Sequence, residues 1–397
     1  MAPVQSRWRQ ILRGAAFLTF VLLTIEFLDE LVFGAREAAW PLMRDALELS
    51  YAQVGLLLSV PGVVGAFVEP FIGIMGDTGR RRALVLGGGL VFALALTLTA
   101  VSQGFWLLLI SFILFYPASG AFVSLSQATL MDSAPSRHEQ NMARWSFAGS
   151  LGVVVGPVAL SVAAALALGW RGLFLVFSGA TLLLVAIARR FSFSDGRHAF
   201  DSAGFLAGVR GALRALSRRE VLRWLTLLEF SDLMLDVFLG FLALYFVDVV
   251  GTTPAQAGMA VAVWTGVGLL GDLLLIPLLE RVPGLRYLRW SAALVLVLFP
   301  AFLLAPSAGT KLVLLGLLGL FNAGWYSILK ARLYAAMPGQ SGTVMTVGNV
   351  FGLVWQFVPL GLGLLAERLG LQTALWLLLA GPAALLVGIP RRRSPPL

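Results

Sequence analysis

The sequence Glu26-Phe27-Leu28-Asp29 returns as Glu229-Phe230-Ser231-Asp232, at an offset of 203, and both copies lie inside long apolar runs. The same offset pairs Asp45 with Asp248, Gln53 with Gln256, Gly55 with Gly258, Glu69 with Asp272 and Asp77 with Glu280. It continues through Pro135 and Pro338, Met142 and Met345, and Gly149 and Gly352. Apolar coincidences mean little in a chain this rich in Leu, Ala and Gly. Five acid-to-acid matches among only 20 acidic residues identify a tandem duplication. The chain must therefore fold as two copies of one unit.

The kind of unit follows from composition. Hydrophobic residues make up 59% of the 397 residues and charged residues 12%, against about 25% charged in soluble domains. Apolar runs of roughly 20 residues, enough to cross a hydrocarbon core about 30 Å thick, recur along nearly the whole length. Period-2 alternation is absent, which argues against a β-barrel. The expectation is an all-α integral membrane protein.

The formal charge of +9 is placed at alternate helix ends rather than in a nucleic-acid patch. Basic clusters fall at Arg7, Arg9 and Arg13, at Arg80 to Arg82, from Arg189 to Arg223, from Arg281 to Arg289, and from Arg391 to Arg393. Arg36, Arg44, Arg171, Lys311 and Arg368 are assigned to the opposite side. This positive-inside pattern predicts an inner (plasma) membrane protein with both termini cytoplasmic and no nucleic-acid partner. There is no cysteine, and His138 and His198 fall in predicted loops, so no cofactor and no metal are expected. The first apolar segment carries Glu26, Asp29 and Glu30 and no A-x-A cleavage site, so it reads as a retained helix.

Apolar runs between breaks predict twelve helices. The first six cover about 14–36, 52–76, 83–102, 105–131, 143–167 and 171–189, and the second six about 221–248, 255–279, 287–305, 311–336, 342–366 and 371–390. The domain reading is an N-terminal six-helix bundle over 1–190, a basic amphipathic linker over 191–220 on the cytoplasmic surface, and a C-terminal six-helix bundle over 221–397.

Predicted helix 2 ends in GIMGDTGRRR, residues 73–82. With Gly73, Asp77, Arg81 and Arg82 this resembles the loop motif Gly-x-x-x-Asp-Arg-x-Gly-Arg-Arg of the major facilitator superfamily, with Thr78 in place of the first Arg and the inner Gly at position 79. Predicted helix 5 carries Gly149, Gly152, Gly156 and Pro157; the last three resemble that family's antiporter motif, whose trailing Gly pair is replaced by Leu160 and Ser161. Small-residue helix packing with a proline kink is the alternative for helix 5. The resemblance implies two pseudo-twofold-related bundles working by alternating access. It also implies a cytoplasmic gate at Gly73, Asp77, Arg81 and Arg82, with Glu280 and Arg281 as the second-half counterpart. Gly73 is expected to permit close helix approach.

Glu26, Asp29 and Glu30 have i, i+3, i+4 spacing and form one acidic face; Glu229, Asp232 and Asp236 have i, i+3, i+7 spacing and do the same. The family likeness places both helices on a central cavity. Carboxyls at membrane depth are expensive and mark ion or proton pathways. Lys330, with Arg332 nearer the cytoplasmic end, is the basic partner this reading finds within the spans. Six acids exceed that supply, so these carboxyls are expected to carry protons, with structural hydrogen bonding as the alternative. Glu69 and Asp272 form a further matched pair beside the gate.

Asn322, Tyr326 and Lys330 fall on one helical stripe, joined by Tyr116, Gln127, Trp264 and Trp355 as candidate cavity residues. Aromatics beside acids suit organic cations, although packing explains any one of them alone. No nucleotide-binding loop and no nucleophile–base pair is present, so the chain is not expected to be an enzyme. The reading is a monomeric proton-coupled exporter of a small amphipathic or cationic compound. Proton- or sodium-coupled uptake of a nutrient or ion, and a non-transporting receptor or scaffold, are the alternatives.

Overall fold

The computed structural model describes residues 2–76, 80–133, 138–191, 216–337, 348 and 351–390. Among these, every element is helical, as a membrane requires when each backbone group must be satisfied within its own segment. In chain order the helices are α1 Ala2–Leu47, α2 Tyr51–Met75, α3 Arg81–Val101, α4 Phe105–Ser133, α5 His138–Ala165 and α6 Gly169–Ala188. The second set is α7 Arg219–Asp248, α8 Pro254–Leu279, α9 Gly284–Leu304, α10 Ala308–Ala336, α11 with its described part ending in Val358–Leu369, and α12 Leu371–Gly388. Ten of the described helices are long and apolar enough to cross a membrane. Helices α1 and α11 bring the positions to the twelve expected.

The contacts group Met1–Arg36 with Val60–Phe200 into one compact unit, and Glu37–Ser59 with Asp201–Leu397 into another. The first has an aromatic core of Phe92 with Phe115 and Phe122. The second is built on Phe238, which meets Trp264, Phe299 and Phe302 edge-on at 5.1 to 5.8 Å between ring centroids. The expected linker lies outside the described residues over 192–215.

Two boundaries depart from the sequence reading. Predicted helix 1 ends at residue 36, whereas α1 runs to Leu47 through Pro41. Its charges mark buried positions rather than a helix end: Arg36 is 3% exposed and Glu37 2%. Predicted helix 10 is continuous, but α10 stops at Asn322 and resumes at Trp325, with Gly324 left-handed at φ 73°. Position 120–121 in the first half corresponds to 323–324 in the second, and there α4 widens into a π turn over Gly120–Ser124. Each half therefore interrupts the same helix at the same place.

The repeat-matched glutamines are structural. At the start of α2 the Ser50 N–H donates to Gln53 Oε1 at 2.9 Å while the Gln53 N–H donates to Ser50 Oγ at 3.2 Å. At the start of α8 Thr253 and Gln256 repeat this reciprocal capping box at 3.0 and 3.3 Å.

Candidate functional site

In the first unit the acidic face of α1 is turned into the bundle. Glu26 is buried, bonded to the Trp145 indole and seated on α5: a Cβ placed on Gly149 would lie 2.6 Å from Glu26 Oε1. Glu30 packs beside it, its Cγ 3.3 Å from that same point. Asp29 turns instead to α4, where Ser119 Oγ donates to its Oδ2 at 3.1 Å; Oδ1 is buried with no hydrogen-bond partner among the described residues.

Lower on the same contact the helix 5 glycines serve close packing. A Cβ on Gly152 would stand 2.5 Å from the Phe27 carbonyl oxygen, and one on Gly156 2.5 Å from the Gly34 carbonyl carbon. α1 and α5 thus touch backbone to backbone, the close approach that Gly152 and Gly156 permit.

The second unit repeats the arrangement. Glu229 on α7 is seated on α11, its Oε1 3.2 Å from where a Cβ on Gly352 would be. Lys330 lies within electrostatic range of Glu229 and Asp232, and its Nζ sits 5.7 Å from the Tyr326 ring centre. Asp236 falls inside a π turn over Leu233–Val237, so the i+7 spacing no longer holds it on the face predicted for a regular helix. It is within range of Asp232 and also of Glu37.

The basic partner missing from the sequence reading is Arg36. Expected on the opposite side of the membrane, it is instead buried in the first unit, within range of Asp29 and over the rings of Phe33, Phe112 and Tyr116 at 5.0, 5.5 and 5.7 Å. Among the described residues, Arg36 in the first unit and Lys330 in the second thus each stand near acids of their own unit. Glu37, also overlooked, accepts from Trp40 Nε1 at 3.0 Å. Both residues carry charge within one turn of each other, and that pattern reads as a helix end unless the helix is known to continue.

The remaining candidates are dispersed. Trp264 is part of the core around Phe238, and Trp355 packs on Phe230 at 5.0 Å. Asn322 ends the first segment of α10, 2% exposed, with neither amide atom bonded to a described residue. Gln127, half-buried on α4, is the positional counterpart of Lys330. Asp272 accepts the Gly324 N–H at 2.9 Å at the α10 break, and Tyr287 Oη donates to the Ala323 carbonyl at 3.0 Å. Glu69 holds the matching place beside α4, with its Cγ 3.1 Å from a Cβ placed on Gly120.

At the helix ends opposite the chain termini, within the second unit, Arg44 Nη2 donates to Asp45 Oδ1 at 2.9 Å and to Asp248 Oδ1 at 2.7 Å. Tyr51 Oη donates to Asp248 Oδ2 at 2.5 Å. One arginine thus holds a repeat-matched pair of aspartates.

Comparison with known proteins decides the family. The Major Facilitator Superfamily profile matches residues 19–358. The chain belongs to the Major Facilitator Superfamily. It is 24% identical to the transcription regulatory protein OpdE of Pseudomonas aeruginosa, over 97% of this chain and 93% of that one. Among solved structures it resembles a bacterial homolog of the human lysosomal transporter Spinster at TM-score 0.74 and 15% identity, covering 94% of each chain. The nucleoside transporter NupG gives 0.75 and 14%, covering 94% of this chain and 98% of that one. Membership of the superfamily supports secondary transport of a small molecule across a bilayer by alternating access, not catalysis.

For this Major Facilitator protein the loop motif is only partly visible. Asp77 lies outside the described residues. Gly73 departs from the expectation of close approach, since a Cβ there would meet no described residue within 4 Å; the tight position is Gly76, 2.5 Å from Leu125 Cδ2 by the same measure. Arg81 is buried and paired with Asp132 on α4 at 2.5 Å, and Arg82 donates to the Arg189 carbonyl at the end of α6 at 2.9 Å. Glu280 and Arg281 are exposed at the end of α8.

Proposed function

We propose that this superfamily member is a proton-coupled exporter of a small amphipathic or cationic compound, with the acids of α1 and α7 as proton carriers. The observation that supports this most is duplication: Glu26 and Glu229 occupy the same seat in each half, at membrane depth, where a carboxyl kept without function is a cost. Tyr116 in the first unit and Tyr326 in the second each hold a cationic side chain, Arg36 and Lys330, beside the ring, the kind of contact that a cationic substrate would use. Export is the direction carried by the likeness of Gly152, Gly156 and Pro157 to the antiporter motif.

The protein is proposed to sit as a monomer in the inner membrane with both termini cytoplasmic, its bundles spanning 1–190 and 221–397 and joined by the basic linker 191–220. The cytoplasmic gate is assigned to Asp77 with Arg81 and Arg82, and to Glu280 with Arg281 in the second half. Arg44, Asp45, Asp248 and Tyr51 are its counterpart at the opposite helix ends.

Glu26→Gln and Glu229→Gln retain shape and most hydrogen bonds but cannot cycle a proton. Vesicles reconstituted with either variant and loaded with ethidium as the cationic probe are expected to lose dye-linked proton flux in at least one case, while dye exchange at equal pH survives. Wild-type proton flux in both variants, or wild-type transport driven by sodium instead of a pH gradient, would rule the assignment out. The name of the OpdE relative, a transcription regulatory protein, favours a second reading as a non-transporting receptor. Gradient-driven flux of any solute in those vesicles excludes it.

A further inference from the structure

Gly149 lies outside the part of helix 5 that resembles the antiporter motif, Gly352 is its repeat partner on α11, and backbone packing does not account for either. Gly152 and Gly156, one and two turns further on, face backbone atoms of α1. Gly149 and Gly352 face carboxyl groups. The nearest atom to a Cβ on Gly149 would be Glu26 Oε1 at 2.6 Å, and the nearest to one on Gly352 would be Glu229 Oε1 at 3.2 Å. Both members of the glutamate pair and both members of the glycine pair stand at the offset of 203, so the contact itself has been duplicated. A methyl group at either position would occupy space the carboxyl oxygen now fills.

We infer that Gly149 and Gly352 are positioning residues that leave out a side chain so that the Glu26 and Glu229 carboxyls can be seated against α5 and α11. This rests on the reading that those glutamates carry the coupling proton, and adds what holds them in place. The surroundings differ in a way that ranks the two seats. Glu26 faces the Trp145 indole from α5 and Asp29 and Glu30 from its own helix; Glu229 faces Lys330 from α10 and Asp232 from its own helix. At 2.6 Å an added Cβ forces the Glu26 carboxyl to move, whereas at 3.2 Å the Glu229 carboxyl has only to yield by a few tenths of an ångström.

The test uses the full chain in detergent and a hydrophobic carbodiimide, which modifies protonated carboxyls, with labelling at each glutamate read by mass spectrometry across pH. Gly149→Ala is expected to shift the labelling midpoint of Glu26 by about one pH unit or more, a tenfold change in proton affinity, and to leave Glu229 unmoved. Gly352→Ala is expected to shift Glu229 alone, and by less. Equal shifts at both glutamates, or none at the facing one, overturn the inference. Should Gly149→Ala fail to fold, the milder Gly352→Ala still decides the matter through Glu229.

A compensating change separates positioning from packing. Glu26→Asp withdraws the carboxyl by one methylene, so Gly149→Ala with Glu26→Asp should recover part of the thermal stability that Gly149→Ala loses. Losses that simply add mean that the glycine serves the helix contact alone, and the inference falls. No such recovery is expected for Gly152→Ala, whose Cβ meets backbone. Neither readout requires transport. A retained labelling shift with no proton flux in vesicles would leave the seats standing while removing the proton-coupling reading.

Discussion

The two halves share a plan and differ in how firmly they hold it. The far end of α3 is capped by Arg171 from α6, whose Nη2 donates to the Ser102 carbonyl at 2.7 Å while the guanidinium stacks on Trp170 at 4.1 Å. The far end of α9 is capped by Lys311 from α10, 5% exposed, donating to the Phe302 and Leu303 carbonyls at 2.7 and 3.0 Å and to Tyr245 Oη at 2.7 Å. The same need, a cation at a helix C-terminus, has been met from different helices. What duplication preserves is the requirement of the backbone, and either half is free to satisfy it anew.

The largest expected effect tests that claim. Lys311→Met removes three buried hydrogen bonds from a cation and leaves the Phe302 carbonyl without a side-chain partner among the described residues, while the Leu303 carbonyl keeps Gln372 Nε2 at 3.2 Å and Tyr245 Oη at 3.4 Å; hydrogen bonds to charged groups are worth about 1.5–3 kcal/mol each. A loss of at least about 3 kcal/mol is expected for Lys311→Met, read as a fall in the thermal unfolding midpoint. Arg171→Met forfeits one carbonyl bond at a half-buried site and should cost about 1–2 kcal/mol. Equal losses would mean that the two caps carry the same load, and the contrast between the halves would disappear.

The second comparison sets the helix interruptions side by side. Gly324 is left-handed, and a Cβ there would also run into Leu275, whereas Gly120 keeps helical angles. Gly324→Ala should cost about 1–2 kcal/mol or more, since the left-handed conformation disfavours L side chains by that amount. Gly120→Ala should be near neutral, because the helix propensity gained, up to about 1 kcal/mol, offsets the tight contact with Glu69 Cγ. Thermal midpoints of the two variants, taken under the same conditions, give the difference directly.

The duplication, the helix number and the membrane setting were all legible in residues whose matches survive at one offset. The structure then supplied a reason for three of the matches: a capping box for Gln53 and Gln256, an arginine clasp for Asp45 and Asp248, a carboxyl seat for Gly149 and Gly352. What stayed hidden falls into two kinds. Arg36 and Glu37 look like a helix terminus because a charge pair inside a span is rare, and only the tertiary fold shows that aromatic rings and Trp40 cover them. The breaks at 120 and 323 lie in apolar runs where glycine is common, and no local pattern separates a glycine that bends a helix from one that packs it. Nor can a single sequence say that Ser119 bonds Asp29 while the amide of its positional counterpart Asn322 bonds to no described residue.

The smallest expected effect concerns the acids beside those breaks. Asp272 and Glu69 are repeat partners, yet Asp272 accepts the Gly324 N–H at 2.9 Å and Glu69 makes no hydrogen bond to a described residue. A carboxylate bonded to a backbone N–H is a stronger acceptor than a neutral amide, roughly twofold in bond strength. Asp272→Asn keeps an acceptor oxygen at the same position, so the Gly324 bond should weaken without breaking, at a cost of about 1 kcal/mol or less. Glu69→Gln removes charge but no bond, and its effect on α4 should fall within about 0.5 kcal/mol. Hydrogen–deuterium exchange resolves changes this small when it is read locally. Amides around Gly324 should exchange a few-fold faster in Asp272→Asn, while those around Gly120 stay at the wild-type rate in Glu69→Gln. Faster exchange at both breaks would show that the two acids brace their helices alike. The second half would then have no claim to a carboxylate-held hinge of its own.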